Sequence, residues 1–241
     1  MNISEYTETI INAFNQNGLG ALINEEKAKI LYDFSNLLVE TNKTFNLTAI
    51  TDEKEIILKH FVDCATILKH IPQNSTLVDV GCGAGFPSLP IAILRDDVKI
   101  AALDSTAKKI NFINSTAEKL SIGNIFAVTG RAEDFAKSNR ESFDVSISLA
   151  VARLNILDEL CLPLTKIGGR FIAMKSSKGE EELSEALCGI KKLGGRLFEN
   201  EHTTLSFLEI SIDREIFIFE KSSPTPIQYP RNYSQISKKP L

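Results

Sequence analysis

The chain has 241 residues, of which 43% are apolar and 24% charged, with a formal net charge of −4. That balance is ordinary for a globular protein and excludes a chain that is basic throughout, so a nucleic-acid contact would have to come from a local patch. No apolar run approaches the roughly 18 residues of a membrane span, and the N-terminus lacks the basic-then-apolar pattern of a secretory signal, so a cytoplasmic protein is expected.

In chain order, the first 70 or so residues read as helical. A helix around Glu5 to Asn15 ends at Gly18 and Gly20. Ile30, Leu31, Phe34, Leu37 and Leu38 recur at three- and four-residue steps and mark a second apolar face. Asn42 to Ile50 is a polar connection, and a third helix runs from about Asp52 to His70, ended by Pro72.

The rhythm then changes to strand-like runs at Thr76–Val80, Lys99–Leu103, Ile125–Thr129, Phe143–Leu149 and Arg170–Lys175. Helical stretches lie near Pro87–Arg95, Ala107–Leu120, Leu154–Lys166 and Glu180–Leu193, with Gly168-Gly169 and Gly194-Gly195 expected to end helices. Such alternation implies a parallel sheet with helices on both faces. Gly195–Leu205 and Glu215–Lys221 follow with no room for a crossover helix, so an antiparallel pair should close the sheet. The expected α/β fold is a seven-stranded, mostly parallel Rossmann-like sheet over residues 73–222. A helical extension (1–72) packs on that core, and a basic tail (223–241) follows it.

Leu77 to Pro87 reads as a buried strand running into a glycine-rich turn, with Asp79 two positions before Gly81. Gly81, Gly83 and Gly85 let the backbone bend and approach a ligand closely. A nicotinamide fingerprint would need a small residue where Phe86 stands, and a P-loop would need Gly-Lys-Ser/Thr. Asp79-x-Gly81-x-Gly83-x-Gly85 instead resembles the first motif of the class I methyltransferases that bind S-adenosylmethionine. Asp104 ends the next strand 23 residues after Gly81, where a carboxylate can accept from both ribose hydroxyls. Ala132 and Glu133 follow the third strand, where such enzymes place a polar residue against the adenine.

Further segments are similar to those of one family, the bacterial small-subunit rRNA methyltransferase G family, also called glucose-inhibited division protein B. They are Phe45-Asn46-Leu47-Thr48, His60-Phe61-Val62-Asp63, Leu103-Asp104-Ser105, Lys108-Lys109, Asn111-Phe112, Gly130 to Phe135, Ala150 to Leu154, Tyr229-Pro230-Arg231 and Lys238 to Leu241. The resemblance implies methyl transfer from S-adenosylmethionine to N7 of guanosine 527, in the 530 loop of 16S rRNA, within the small ribosomal subunit. It also implies cofactor contacts from Gly81, Phe86, Ala132 and Glu133. Two positions depart from the family: Ser88 stands where a glycine is usual and reads as a helix opener. Leu149 stands where the family has a cofactor-site arginine, with Arg153 the nearest remaining one.

Guanine N7 is an acceptor with no proton to remove, so orientation should supply most of the rate. Consistently, no Asn/Asp-Pro-Pro-Tyr/Phe follows the fourth strand, and Cys82 reads as a small packing residue. The four cysteines form no Cys-x-x-Cys pair and His60, His70 and His202 are dispersed, so no metal centre is expected. His60 and Asp63, one helical turn apart, are candidates to line a guanine site. Lys175, Lys178, Arg231, Lys238 and Lys239 are candidate RNA contacts in a protein expected to act as a monomer. Two alternatives stand beside this reading: a small-molecule methyltransferase on the same fold, and a cofactor-binding protein without activity.

Overall fold

Strand alternation builds two cores. In the computed structural model, which describes residues 1–176 and 179–241, β1 (Thr76–Val80) sends Leu77 to one face and Val78 and Val80 to the other. β2 (Lys99–Asp104), β3 (Ile125–Thr129), β4 (Phe143–Leu149), β5 (Thr165–Lys175), β6 (Gly195–Phe207) and β7 (Ile210–Lys221) complete one sheet, in the order β3-β2-β1-β4-β5-β7-β6. β1 to β5 run parallel, while β7 pairs antiparallel with both β5 and β6. The chain leaves β1 toward β2 on one side and returns to β4 on the other. The crevice beyond the carboxyl end of β1 is therefore a topological switch point, where open α/β sheets bind ligands.

The first face is covered by α1 (Ile3–Gln16), α2 (Glu25–Asn42) and α5 (Ser88–Leu94). Phe14, Phe34 and Phe61 share one continuous core with Leu77, Ile147 and Ile216 of the sheet. The opposite face holds α7 (Ala132–Ser138), α8 (Leu154–Cys161) and α9 (Gly179–Lys192), with Leu157, Ile190, Phe171 and Phe219 in its core. α6 (Ala107–Lys119) follows β2. No helix among the described residues is long and apolar enough to cross a membrane.

Three local expectations are corrected. The helix expected from Asp52 to His70 is α3 (Glu53–Ile56), a π-helical segment at Ile57–Val62, α4 (Asp63–Ala65) and a separate 3-10 turn at Leu68–His70. π segments are rare and recur at functional sites. Gly168 and Gly169 end no helix: α8 stops at Cys161, and the glycines lie inside β5 where its register with β4 jumps between Phe143 and Val145. A Cβ on Gly169 would lie 2.6 Å from the Asp144 carbonyl, which explains the glycine in this bulge. Ser88 is the first residue of α5 rather than its cap, and Pro87 precedes it.

The C-terminal segment, which includes α10 (Tyr233–Lys238), is folded onto the second face with Tyr229 and Ile236 buried. Two cations, Lys221 at the end of β7 and Arg231, hold it there. Lys221 is fully buried, 3.1 Å from a Glu141 carboxylate oxygen, and donates to the Leu162 carbonyl at 2.8 Å. Arg231 forks onto the buried carboxylate of Glu159 at 2.9 and 2.5 Å and donates a further bond to the Lys239 carbonyl. Arg231 is therefore a structural clamp and not the free RNA contact expected of it. Lys238 and Lys239 are exposed.

Removing one member of a buried ion pair strands the other charge, which costs about 3–5 kcal/mol. Arg231→Ala is accordingly expected to lower the unfolding free energy by that order, read as a lowered urea midpoint at unchanged m-value. Lys238→Ala and Lys239→Ala should stay within about 0.5 kcal/mol of the parent; comparable losses at all three would defeat the distinction.

Candidate active site

The turn after β1 is pinned to the neighbouring strand. The amides of Gly81 and Cys82 both donate to the Leu103 carbonyl, at 2.8 and 3.0 Å. Gly81, Gly83 and Gly85 all have positive φ, 80°, 56° and 96°, and their roles differ. A Cβ on Gly81 would stand 2.5 Å from Val151, and one on Gly85 would stand 2.6 Å from Leu89. A Cβ on Gly83 would meet no atom within 4 Å. The turn is thus packed at its two ends and open at its centre.

Three carboxyl groups gather at the carboxyl ends of β1, β2 and β3. Asp104 accepts from the Gly83 amide at 3.1 Å and from the Thr106 amide at 2.8 Å, with the Lys109 ammonium 3.6 Å away. Glu133, in the first turn of α7, is 8% exposed and accepts from the Tyr233 amide at 3.2 Å. Ala132 is buried beside it. Asp79 is wholly buried; its Oδ2 accepts from the Ser88 hydroxyl, and its Oδ1 has no partner. Burial pushes its carboxyl up to about 8, against two hydrogen bonds from Ser88 that pull it down, while Asp104 adds to the rise. Ser88, one of the two residues that depart from the family pattern, is thus the one that holds Asp79.

Phe86 is 8% exposed, its ring stacked on His60 at 4.0 Å between centroids and packed on Phe34 at 5.3 Å. His60 lies in the π segment and shares a 3.2 Å hydrogen bond with Thr48. Burial brings its imidazole down to about 4, so the ring is neutral at physiological pH. Asp63 is separated from it: both carboxylate oxygens accept from Arg214 Nε at 2.9 Å, out of solvent. The pair expected to line one site is split, and Asp63 anchors the helical extension to β7.

The segment after β4 folds over the turn. Leu149 is partly buried against the first core, Ala150 has φ 55°, and Val151 covers Gly81. Arg153 points elsewhere, pairing with Glu185 of α9 at 2.7 Å, so it does not replace the missing arginine. Lys175 is also committed: it binds Glu182 at 2.7 Å and the Ala152 carbonyl at 2.6 Å, and Glu182 accepts from the Leu154 amide. It clamps this segment and is not a free RNA contact. Lys178 lies outside the described residues. Cys82 is buried and its thiol is pushed well up by burial, as a packing residue and not a nucleophile.

Sequence reasoning assigned no role to Thr48 or Tyr233. The Phe45–Thr48 motif was a signal for the first, and nothing local marks the second. The donor set suits S-adenosylmethionine. Space opens at Gly83, carboxylates suit ribose hydroxyls and a cationic ligand, and the orphaned Asp79 oxygen lies under the turn.

Between pH about 4 and about 8 the native state holds a proton on Asp79 that the unfolded chain does not. Stability therefore falls as pH rises through that window, with a slope of at most about 1.4 kcal/mol per pH unit from this group. Asp79→Asn is expected to flatten the fall of unfolding free energy by about one proton between pH 5 and 8. Ser88→Gly should move it the other way, by removing the hydroxyl hydrogen bond that favours the ionised form while keeping the backbone amide. Unchanged urea titrations across this range in Asp79→Asn would exclude the assignment.

Comparison with known proteins adds to this geometry. A family model described as rRNA small subunit methyltransferase G matches residues 27–203. A protein named ribosomal RNA small subunit methyltransferase G from Staphylococcus carnosus (strain TM300) is 46% identical over 224 residues, 91% of this chain and 92% of that one. Its namesake from Desulforamulus reducens is 42% identical over 223 residues, 91% and 92% of the two chains. Among solved structures, precorrin-6y C5,15-methyltransferase from Geobacter metallireducens superposes with TM-score 0.54 at 17% identity, over 67% of this chain and 88% of that one. M. jannaschii TYW2 in complex with AdoMet superposes with TM-score 0.50 at 15% identity, over 62% and 70%. At these identities the structural likeness shows the fold alone.

Proposed function

The chain belongs to the rRNA small subunit methyltransferase G family, and from that membership we propose that it methylates N7 of a guanosine in the 530 loop of 16S rRNA, guanosine 527. It is an S-adenosylmethionine-dependent enzyme acting on small-subunit rRNA. The observation that supports the site most directly is Asp104 accepting from the Gly83 amide at the open centre of the glycine turn, with the unpartnered Asp79 oxygen close to it. Asp104 would take the ribose hydroxyls, Ala132 and Glu133 the adenine end, and Gly81, Gly83 and Gly85 the backbone approach. Asp79, protonated at neutral pH, would offer its unpartnered oxygen beneath the turn.

Bound S-adenosylmethionine supplies a methyl group on a sulfonium, already a strong electrophile. Guanine N7 offers a lone pair and carries no proton, so the transfer asks the chain for no general base and no covalent nucleophile. What the residues must do is hold the two reactants in line. His60, neutral and braced between Thr48 and Phe86, can orient a base by hydrogen bonding without competing for its lone pair as a cation would. Asp63 has no part in this, being committed to Arg214. N7 is poorly accessible in the major groove of an A-form helix, so the guanosine must be presented in a loop or splayed out.

Asp104→Ala removes a charged acceptor. It is expected to weaken S-adenosylmethionine binding by about 1.5–3 kcal/mol, roughly ten- to a hundredfold in Kd by calorimetry. A Kd within twofold of the parent would remove Asp104 from the ribose role. Borohydride and aniline treatment of 16S rRNA should give one m7G-dependent scission that disappears when the gene is deleted; persistence of the scission would refute the assigned nucleotide.

A further inference from the structure

The Phe45–Thr48 segment and the exposed side of α6 meet in a groove of about 260 Å³ outside the cofactor corner. Phe112 lies buried along it and Phe45 forms one wall, with its ring 44% exposed and the Lys108 ammonium 5.0 Å from the ring centroid. Lys108, Asn111, Ser115 and Lys119 line the groove from α6 at three- and four-residue steps, on one helix face. Among the described residues no carboxylate lines this groove, although Lys119 also borders the adjoining hollow that holds Asp33 and Glu40. An exposed aromatic ring flanked by unpaired lysines and amide or hydroxyl side chains is what a single-stranded nucleic acid requires: a surface for a base, cations for its phosphates and polar atoms for its edges.

The position fits as well. α6 begins three residues after Asp104, and its Lys109 reaches the Asp104 carboxylate at 3.6 Å. Phe112 packs on Phe34, which packs on Phe86 beneath His60. Thr48, three residues after Phe45, holds His60. The groove is therefore joined to the methyl-transfer corner through packed rings and one short segment.

Exposing a guanine N7 strips the target base from its stack, and the neighbouring nucleotide loses a stacking partner too. We propose that this groove receives the nucleotide flanking the target, its base on the Phe45 ring and its phosphates on Lys108 and Lys119. The inference rests on the rRNA-methyltransferase reading and names how that substrate is gripped. A protein segment is the competing occupant, and the lysines without carboxylates disfavour a general peptide site.

The test uses the full chain, S-adenosylmethionine, and small ribosomal subunits purified from a strain lacking this gene. Phe45→Ala should raise KM for subunits at least tenfold, leave the Kd for S-adenosylmethionine within twofold, and be rescued by Phe45→Trp, which keeps a π face. Lys108→Ala combined with Lys119→Ala should reduce the salt slope of subunit binding by about 1.4, the value for two single-strand phosphate contacts. Phe45→Ala with the parent KM overturns the proposal, as does a loss that Trp fails to restore or one matched by weaker S-adenosylmethionine binding. A parent protein that methylates no small subunit would instead defeat the function itself, before the groove is in question.

Discussion

The site rests on one backbone constraint: two successive amides, Gly81 and Cys82, share the Leu103 carbonyl. This ties the turn after β1 to the end of β2 and fixes where Asp104 stands relative to Gly83. A parallel sheet makes such a tie possible, because β1 and β2 end side by side with Val80 opposite Leu103. The price is a chain path with positive φ at three glycines, two of which are closely packed against aliphatic side chains. Only the middle glycine faces open space, so a turn that looks uniform in sequence has separate packing and ligand-facing parts.

Much of the fold was legible because short runs rich in β-branched and other apolar residues stand between turn signals. The bounds of β1, β3 and β4 follow from that, although only β1 and β4 are mostly buried and β3, at the edge of the sheet, is partly exposed. The misreadings have distinct physical sources. α7 was missed because seven residues headed by Arg131, which offers no side-chain cap, carry little local signal. Gly168 and Gly169 were read as a helix stop because a bulge and a helix end both require small residues. The π segment was invisible because the buried positions Ile56, Ile57, Phe61 and Val62 suit an α-helix equally well.

The site residues divide the same way. Asp79 and Asp104 could be placed at one edge of the sheet in advance, because β1 and β2 end side by side regardless of tertiary detail. The basic residues could not, because a cation in sequence says nothing of its partner. Arg231 finds Glu159 across 72 residues, and Arg214 finds Asp63 across 151. Lys175 and Arg153 likewise turn to carboxylates of α9. Of the positive charge that looked available for a polyanion, Lys175 and Arg231 are committed to carboxylates within the protein, while Lys238 and Lys239 stay exposed. The lysines left to solvent on α6 and α10 matter more for that reason.

The contact between the Tyr233 amide and Glu133 bears on how a ligand reaches the cleft. That wall is built by a segment a hundred residues distant, and moving it would strip Arg231 from Glu159 and expose Tyr229 and Ile236. Such an opening is too costly to serve routine traffic. The wall that carries Glu133 is thus set by the far end of the chain, so that an alteration at Tyr233 or Arg231 would reach the cleft from outside it.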